Sequence, residues 1–293
     1  MPSTRDIRRR IKSVKNTAQI TKAMQMVAAA KMRKAQQAAL VGRPYADLMN
    51  AILAEAGSRI VSFKHPLMEI RAVRKRAVIV VSSDRGLCGG LNSNLFREAA
   101  KLDKNTTVFI TAGRKASQFV ARTKRNLAAE FSYKDTPTFA EARAISKFAQ
   151  DLFLKGEADS VDILFTKFVS TLVQQPNTVP FLPVGKIKAV TAGVNAPAQE
   201  LQGTGVRTDV FEFEPDEKTV LGALLPHSLN FQMHQILLEA KASEQSARMV
   251  AMKNATDNAK QLIKDLTLEY NKLRQANITK ELLEITTAQM AVG

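Results

Sequence analysis

Glycine and proline, the residues that most readily interrupt a helix, are missing from two long stretches of this chain. None lies between Pro2 and Gly42, a run of 39 residues, and none between Pro226 and Gly293, a run of 66. Ala, Lys, Gln, Leu and Met, which have high helix propensity, fill both runs. At 1.5 Å per residue, two helices of about 58 Å and about 99 Å are implied. Ser3 followed by Asp6 has the spacing of a capping box at the start of the first.

Helices of this length need support along their whole course, and the apolar spacing suggests that they support each other. Ala28, Met32, Ala35 and Ala39 recur at alternating steps of four and three. Met252, Ala255, Ala259, Leu262 and Leu266 make a matching series, continued by Leu273 and Ala276. Such heptad-like seams, rich in Ala, predict an antiparallel coiled coil with closely spaced axes. Thr21, Gln25 and Lys280 fall where an ideal zipper is apolar. The C-terminal helix is the longer, so its end is expected to protrude as a single pin. No charge follows Glu284 in ITTAQMAVG, and that tip calls for an apolar socket.

The middle of the chain alternates between two periodicities. Ala77–Ser83, Thr106–Thr111 and Val161–Val169 read as strands, with a Pro-punctuated strand near Val179–Val184. Helical stretches are expected at Asn92–Leu102, over GRKASQFVAR and over 138–155. This order predicts a Rossmann-like α/β domain with a largely parallel sheet. The division is therefore an N-terminal shaft helix (1–56), a central α/β domain (57–215) and a C-terminal shaft helix (216–293) pairing with the first. Val190–Val206 reads as a loose loop.

Chemistry-bearing motifs are few. The loop SDRGLCGGLN sits where phosphate-binding loops occur, yet fits neither GxGxxG nor GxxxxGK[ST], so a structural turn is expected. Cys88, the single cysteine, has no histidine near it in sequence. His227 and His234 lie two helical turns apart without a carboxylate at metal-ligand spacing. The reading is no catalytic residue, no metal and no cofactor on this chain.

Charge is informative. Lys and Arg total 43 against 27 Asp and Glu, a net charge of +16. Residues 1–43 carry eleven of those cations against Asp6 alone. One sign along a helix predicts an acidic partner. Nucleic acid is one candidate, although no aromatic interleaves the charges; an acidic protein collar explains the charge equally and the apolar tip as well. Thr219–Leu238 is uncharged and long enough to span a bilayer, but its polar residues exclude that. The Arg-rich start carries Asp6 and runs into helix, so it reads as mature protein rather than a targeting segment.

Four segments together resemble the gamma subunit family of F-type ATP synthases, of bacterial type: ITKAMQMVAAAKMRKAQ, SSDRGLCGGLN, SEQSARMVAMKNATDNA and YNKLRQANITKELLEI. The resemblance implies a central rotor stalk turning inside a ring of alternating alpha and beta subunits. It also implies an epsilon subunit and a membrane c-ring as partners, on the cytoplasmic face of the bacterial inner membrane. Nucleotide would be bound by the ring subunits. By the same resemblance, Lys22 and Met24 would face acidic loops of the beta subunits, and Glu244, Gln245 and Arg248 would serve energy coupling. Arg274, Gln275 and Thr279 would contact a catch loop, and Glu214 would lie in the foot. Where the family usually has a Gly-Ala stretch at the tip, this chain has Thr286, Thr287, Ala288, Gln289 and Met290. The alternative is a basic coiled-coil nucleic-acid-binding protein.

Overall fold

A computed structural model of the chain describes residues 3–42, 44–46, 48, 49, 51–53, 65–184, 214 and 216–292. The elements are α1 (Thr4–Val41), a 3-10 turn (Pro66–Met68), β1 (Arg76–Val81), α2 (Leu91–Ala100), β2 (Thr107–Ala112) and α3 (Arg114–Arg122), followed by β3 (Asn126–Phe131), α4 (Phe139–Leu154), β4 (Ser160–Phe168), β5 (Gln174–Leu182) and α5 (Glu217–Val292). Long antiparallel terminal helices and a central Rossmann-like sheet are thus both present. The chain divides into two compact units, residues 1–28 with 249–293, and residues 29–248.

In the first unit, α1 begins with the expected capping box. The Asp6 amide donates to Ser3 Oγ at 3.2 Å and the Ser3 amide donates back to Asp6 Oδ2 at 3.4 Å. The Ser3 hydroxyl also bonds that carboxylate, and these bonds lower the Asp6 pKa. The pairing is antiparallel, because advancing from Arg8 to Thr21 on α1 retreats from Tyr270 to Thr256 on α5. Arg8 donates to the Tyr270 hydroxyl at 2.6 Å, and the two threonine hydroxyls share a hydrogen bond of 2.7 Å.

The less exposed residues of α1 follow the heptad steps without a slip: Thr4, Ile7, Ile11, Val14, Ala18, Thr21, Gln25 and Ala28, continuing in the second unit as Met32, Ala35 and Ala39. The seam of α5 differs from the expected one. It runs through Met252, Thr256, Ala259, Ile263, Leu266, Tyr270 and Leu273, whereas Leu262 is 46% exposed. Ala255 and Leu262 are more apolar in type than Thr256, but the seam takes the other phase of the same alternation, through Thr256 and Ile263, and leaves both beside it. Thr256 is accommodated at 3% exposure because its hydroxyl donates to the Met252 carbonyl as well as meeting Thr21. Beyond Leu273, all residues from 274 to 287 are exposed.

In the second unit the five strands take the order β3-β2-β1-β4-β5. The first four neighbours are parallel and β5 is antiparallel to β4, with Phe168 opposite Gln174. β3 was not expected from sequence: Asn126 and its two alanines are weak strand formers, and this edge strand is mostly exposed, so no apolar alternation marks it. β5 starts earlier than its apolar residues suggested. Pro176 and Pro180 fit there because an edge strand need not donate on both sides.

Two apolar layers sandwich the sheet. Val78, Val80, Phe109 and Leu164 pack with Leu95, Ala116 and Val120 of α2 and α3. On the other face Ile79, Val81, Ile110 and Ile163 meet Ile145, Ala149 and Phe153 of α4, and Leu229, Met233 and Leu237 of α5. α4 opens with a capping box in which Thr138 and Glu141 exchange bonds. α5 begins upstream of the glycine- and proline-free run and passes through Pro226. From Gln235 to Ser246 every residue of α5 is buried. Loop 190–206 lies outside the described residues.

Candidate coupling site

Strand β1 ends in the loop that looked like a phosphate cradle, and the backbone explains why it is a turn of another kind. Leu87 and Gly89 have φ of 64° and 59°. Asn92 Nδ2 donates to Ser83 Oγ at 2.7 Å and to Cys88 Sγ at 3.4 Å, so the cysteine is 2% exposed and held as structure. Gly113, at φ 104°, passes so close that a Cβ there would sit 2.2 Å from the Ser82 carbonyl oxygen. That carbonyl also accepts from the Tyr133 hydroxyl at 2.8 Å.

A phosphate cradle aims backbone N–H groups at an anion. This loop instead aims carbonyls at a cation. Arg248 of α5 donates to the carbonyls of Arg85 and Gly86, each at 3.2 Å. The guanidinium therefore occupies the place where the loop after β1 would meet a ligand in an open parallel sheet.

Behind Arg248 runs a series of alternating charges. Arg248 Nη1 donates to Glu244 Oε1 at 2.7 Å, and Glu244 Oε2 lies 3.0 Å from Lys241 Nζ. That second contact is an ion pair without hydrogen-bond alignment, so Oε2 has charge compensation but no directed donor. Lys241 Nζ is 3.5 Å from Asp135 Oδ1, and the other oxygen of Asp135 accepts from Lys31 on α1. Lys31 and Lys241 hold the Asp135 carboxyl below the usual range, the Lys31 hydrogen bond being the largest cause. The Lys241 ammonium also stands 5.1 Å from the Tyr133 ring centre. Burial, with Glu244 and Asp84 nearby, pushes the Tyr133 hydroxyl well up.

Two further polar features lie in this unit. Glu239 is 4% exposed, and burial raises its pKa to about 7, offset in part by the Phe168 amide that donates to it at 3.2 Å. It borders a cavity of about 250 Å3 lined also by Gln36, Ala39, Leu40, Phe168 and Ala242. His227 bonds the Tyr45 hydroxyl at 2.7 Å, and His234 meets the Pro137 carbonyl at 3.2 Å. Among the described residues, no three His, Cys, Asp or Glu side chains converge as metal ligands would.

The residues named from the resemblance fall into three settings. Glu244, Gln245 and Arg248 are 4%, 3% and 9% exposed, and Glu244 and Arg248 bond inside the chain rather than facing outward. Lys22 is exposed and Met24 half-buried on the α1 surface. Arg274, Gln275 and Thr279 lie on the bare part of α5, where the Thr279 hydroxyl donates to the Gln275 carbonyl at 2.9 Å. Glu214 is exposed, the one residue of FEFEP that is described. Sequence reading missed Lys241, because a lysine in a long helix usually faces solvent. Its signal was the spacing Lys241, Glu244, Arg248, a cation-anion-cation row on one helix face.

The family model described as ATP synthase matches residues 3–292. The ATP synthase gamma chain of Opitutus terrae is 50% identical, with all of both chains covered, and that of Methylacidiphilum infernorum 45%, also with full coverage of both. Among solved structures, a chain of the Euglena gracilis mitochondrial ATP synthase (OSCP/F1/c-ring) superposes with a TM-score of 0.69 over 99% of this chain and 94% of that one; at 18% identity it attests the fold. With full-length matches of this kind, the chain belongs to the ATP synthase gamma chain family.

Proposed function

We infer that this chain is the central stalk rotor of an F-type ATP synthase and couples ion flow through a membrane c-ring to ATP synthesis or hydrolysis in an alpha-beta ring. The observation that carries this reading is the bare end of α5. Residues 274–287 form helix that packs against no other element among the described residues, and Ile278, Leu282, Leu283 and Ile285 are 48–60% exposed there. A helix of this length is marginal alone in water, so its regularity is completed by other subunits. The basic α1 surface supports an acidic collar; the full-length family match leaves the nucleic-acid alternative without support.

The mechanism follows from asymmetry. An off-axis helix pair meets three chemically identical beta subunits differently at each angle. It shifts each conformational equilibrium only by its differential affinity for the states. Driving a site from 1:99 to 99:1 takes about 5.5 kcal/mol, within reach of a few charge-assisted hydrogen bonds and steric exclusion. On this reading Lys22, Met24, Arg274, Gln275 and Thr279 touch ring subunits, and Glu214 belongs to the foot toward epsilon and the c-ring. Glu244, Gln245 and Arg248 serve coupling from inside the chain. The working division stays at 1–56, 57–215 and 216–293. No helix among the described residues is long and apolar enough to cross a membrane, consistent with peripheral attachment through the complex, at the cytoplasmic face of a bacterial inner membrane.

Co-purification tests the reading: tagged chain should bring down alpha and beta subunits from its own cells, and failure to do so contradicts it. Within the assembled complex, Arg274→Ala and Gln275→Ala should each lower ATP synthesis by roughly tenfold with assembly retained. Unchanged turnover removes the catch-loop role.

A further inference from the structure

We propose that Lys241 is a positioning residue for coupling, the keystone that sets α5 against both α1 and the loop after β1; this rests on the rotor reading above. Its side chain is 2% exposed, yet it carries a full charge into the stretch of α5 that is buried on every side. The compensation comes from three directions. Glu244 sits one turn along the same helix, Asp135 comes from the β3–α4 connection, and the Tyr133 ring presents its face.

Each of those partners has a second engagement. Asp135 is shared with Lys31 of α1. Glu244 is shared with Arg248, which grips the carbonyls of Arg85 and Gly86. Tyr133 donates to the Ser82 carbonyl at the end of β1. One ammonium therefore joins two terminal helices and two connections of the sheet. An apolar contact tolerates sliding by a fraction of a turn, whereas a buried ammonium held between Glu244 of its own helix and Asp135 and Tyr133 of the β3–α4 connection defines a single rotational setting. Twist applied to the α/β domain is then delivered to the helices without slip.

The test uses the whole ATP synthase in inverted membrane vesicles, with ATP hydrolysis and ATP-driven proton pumping measured on the same preparation. Lys241→Met should keep hydrolysis within about twofold while pumping per ATP falls about fivefold or more, the scale of typical coupling free energies. Lys241→Arg should restore at least half of the pumping ratio, since charge rather than shape carries the effect. If Lys241→Met does not assemble, Asp135→Asn decides, because that carboxylate is 58% exposed and its amide leaves no charge buried there; a drop of about twofold in pumping per ATP is expected. An unchanged ratio in Lys241→Met, a Lys241→Arg no better than Lys241→Met, or an unchanged Asp135→Asn where it decides overturns the proposal. Wild-type chain that fails to assemble with alpha and beta subunits would instead sink the rotor reading itself.

Discussion

Residues 235–246 and 274–287 belong to the same unbroken helix, yet the first stretch is buried throughout and the second is exposed throughout. Composition does not separate them. The buried stretch holds Glu239, Lys241 and Glu244, whereas the exposed one holds Ile278, Leu282, Leu283 and Ile285. Polarity is thus placed against the usual rule in both. In the first, each charge has a partner within the chain; in the second, each apolar group lacks one among the described residues. The inversion marks the first stretch as a junction of this chain's own elements, and it is the observation on which the rotor proposal gives the second to other chains.

The sharpest way to break this contrast is a pair of identical truncations. Leu237→Ala, at a side chain with no exposure, should destabilise by about 2–5 kcal/mol in urea unfolding of the isolated chain. Leu283→Ala, at 60% exposure, should change stability by no more than about 0.5 kcal/mol there and weaken assembly instead. Equal losses in the two variants would remove the distinction.

A smaller effect should come from Glu239, whose pKa burial raises to about 7 from 4.5. A carboxyl raised on folding gives its full stability below its unfolded pKa, and that stability is lost as pH climbs through the folded value. Stability should therefore decline between about pH 4.5 and 7. Glu239→Gln, which can still accept from the Phe168 amide, should abolish that decline, gaining about 1–3 kcal/mol at pH 8 and little at pH 4. A parallel shift at both pH values would contradict the assignment.

The smallest effect belongs to the paired stretch, where a single seam is buried. Thr21→Val removes the hydroxyl that Thr256 meets, but Thr256 keeps its bond to the Met252 carbonyl. A loss of about 0.5–1 kcal/mol is expected, read from the thermal midpoint. A loss as large as that of Leu237→Ala would mean the threonine pair is a core rather than a register mark.

Much of the architecture was legible because helices this long advertise themselves by what they omit. The seam of α1 was readable at Ala28, Met32, Ala35 and Ala39, since its apolar positions and its buried positions coincide. The α5 seam was half misread: hydrophobicity drew the eye to Ala255 and Leu262, while geometry selected Thr256 and Ile263. β3 escaped because an exposed edge strand has no apolar face to display. The turn after β1 reads as structural from its departure from both phosphate-loop patterns, but its grip on Arg248 was invisible, because pairing between residues so far apart leaves no local pattern. Lys241 was missed although its row with Glu244 and Arg248 is local, because a lysine in a long helix usually faces solvent.

Hydrogen exchange by mass spectrometry, on the isolated chain and on the assembled synthase, tests the central claim most directly. In the isolated chain the amides of 235–246 should stay protected for hours while those of 274–287 exchange on the order of minutes or less. In the synthase both stretches should be protected. Equal, slow exchange of both in the isolated chain would contradict the account, because residues 274–287 would then need no other subunit to hold them.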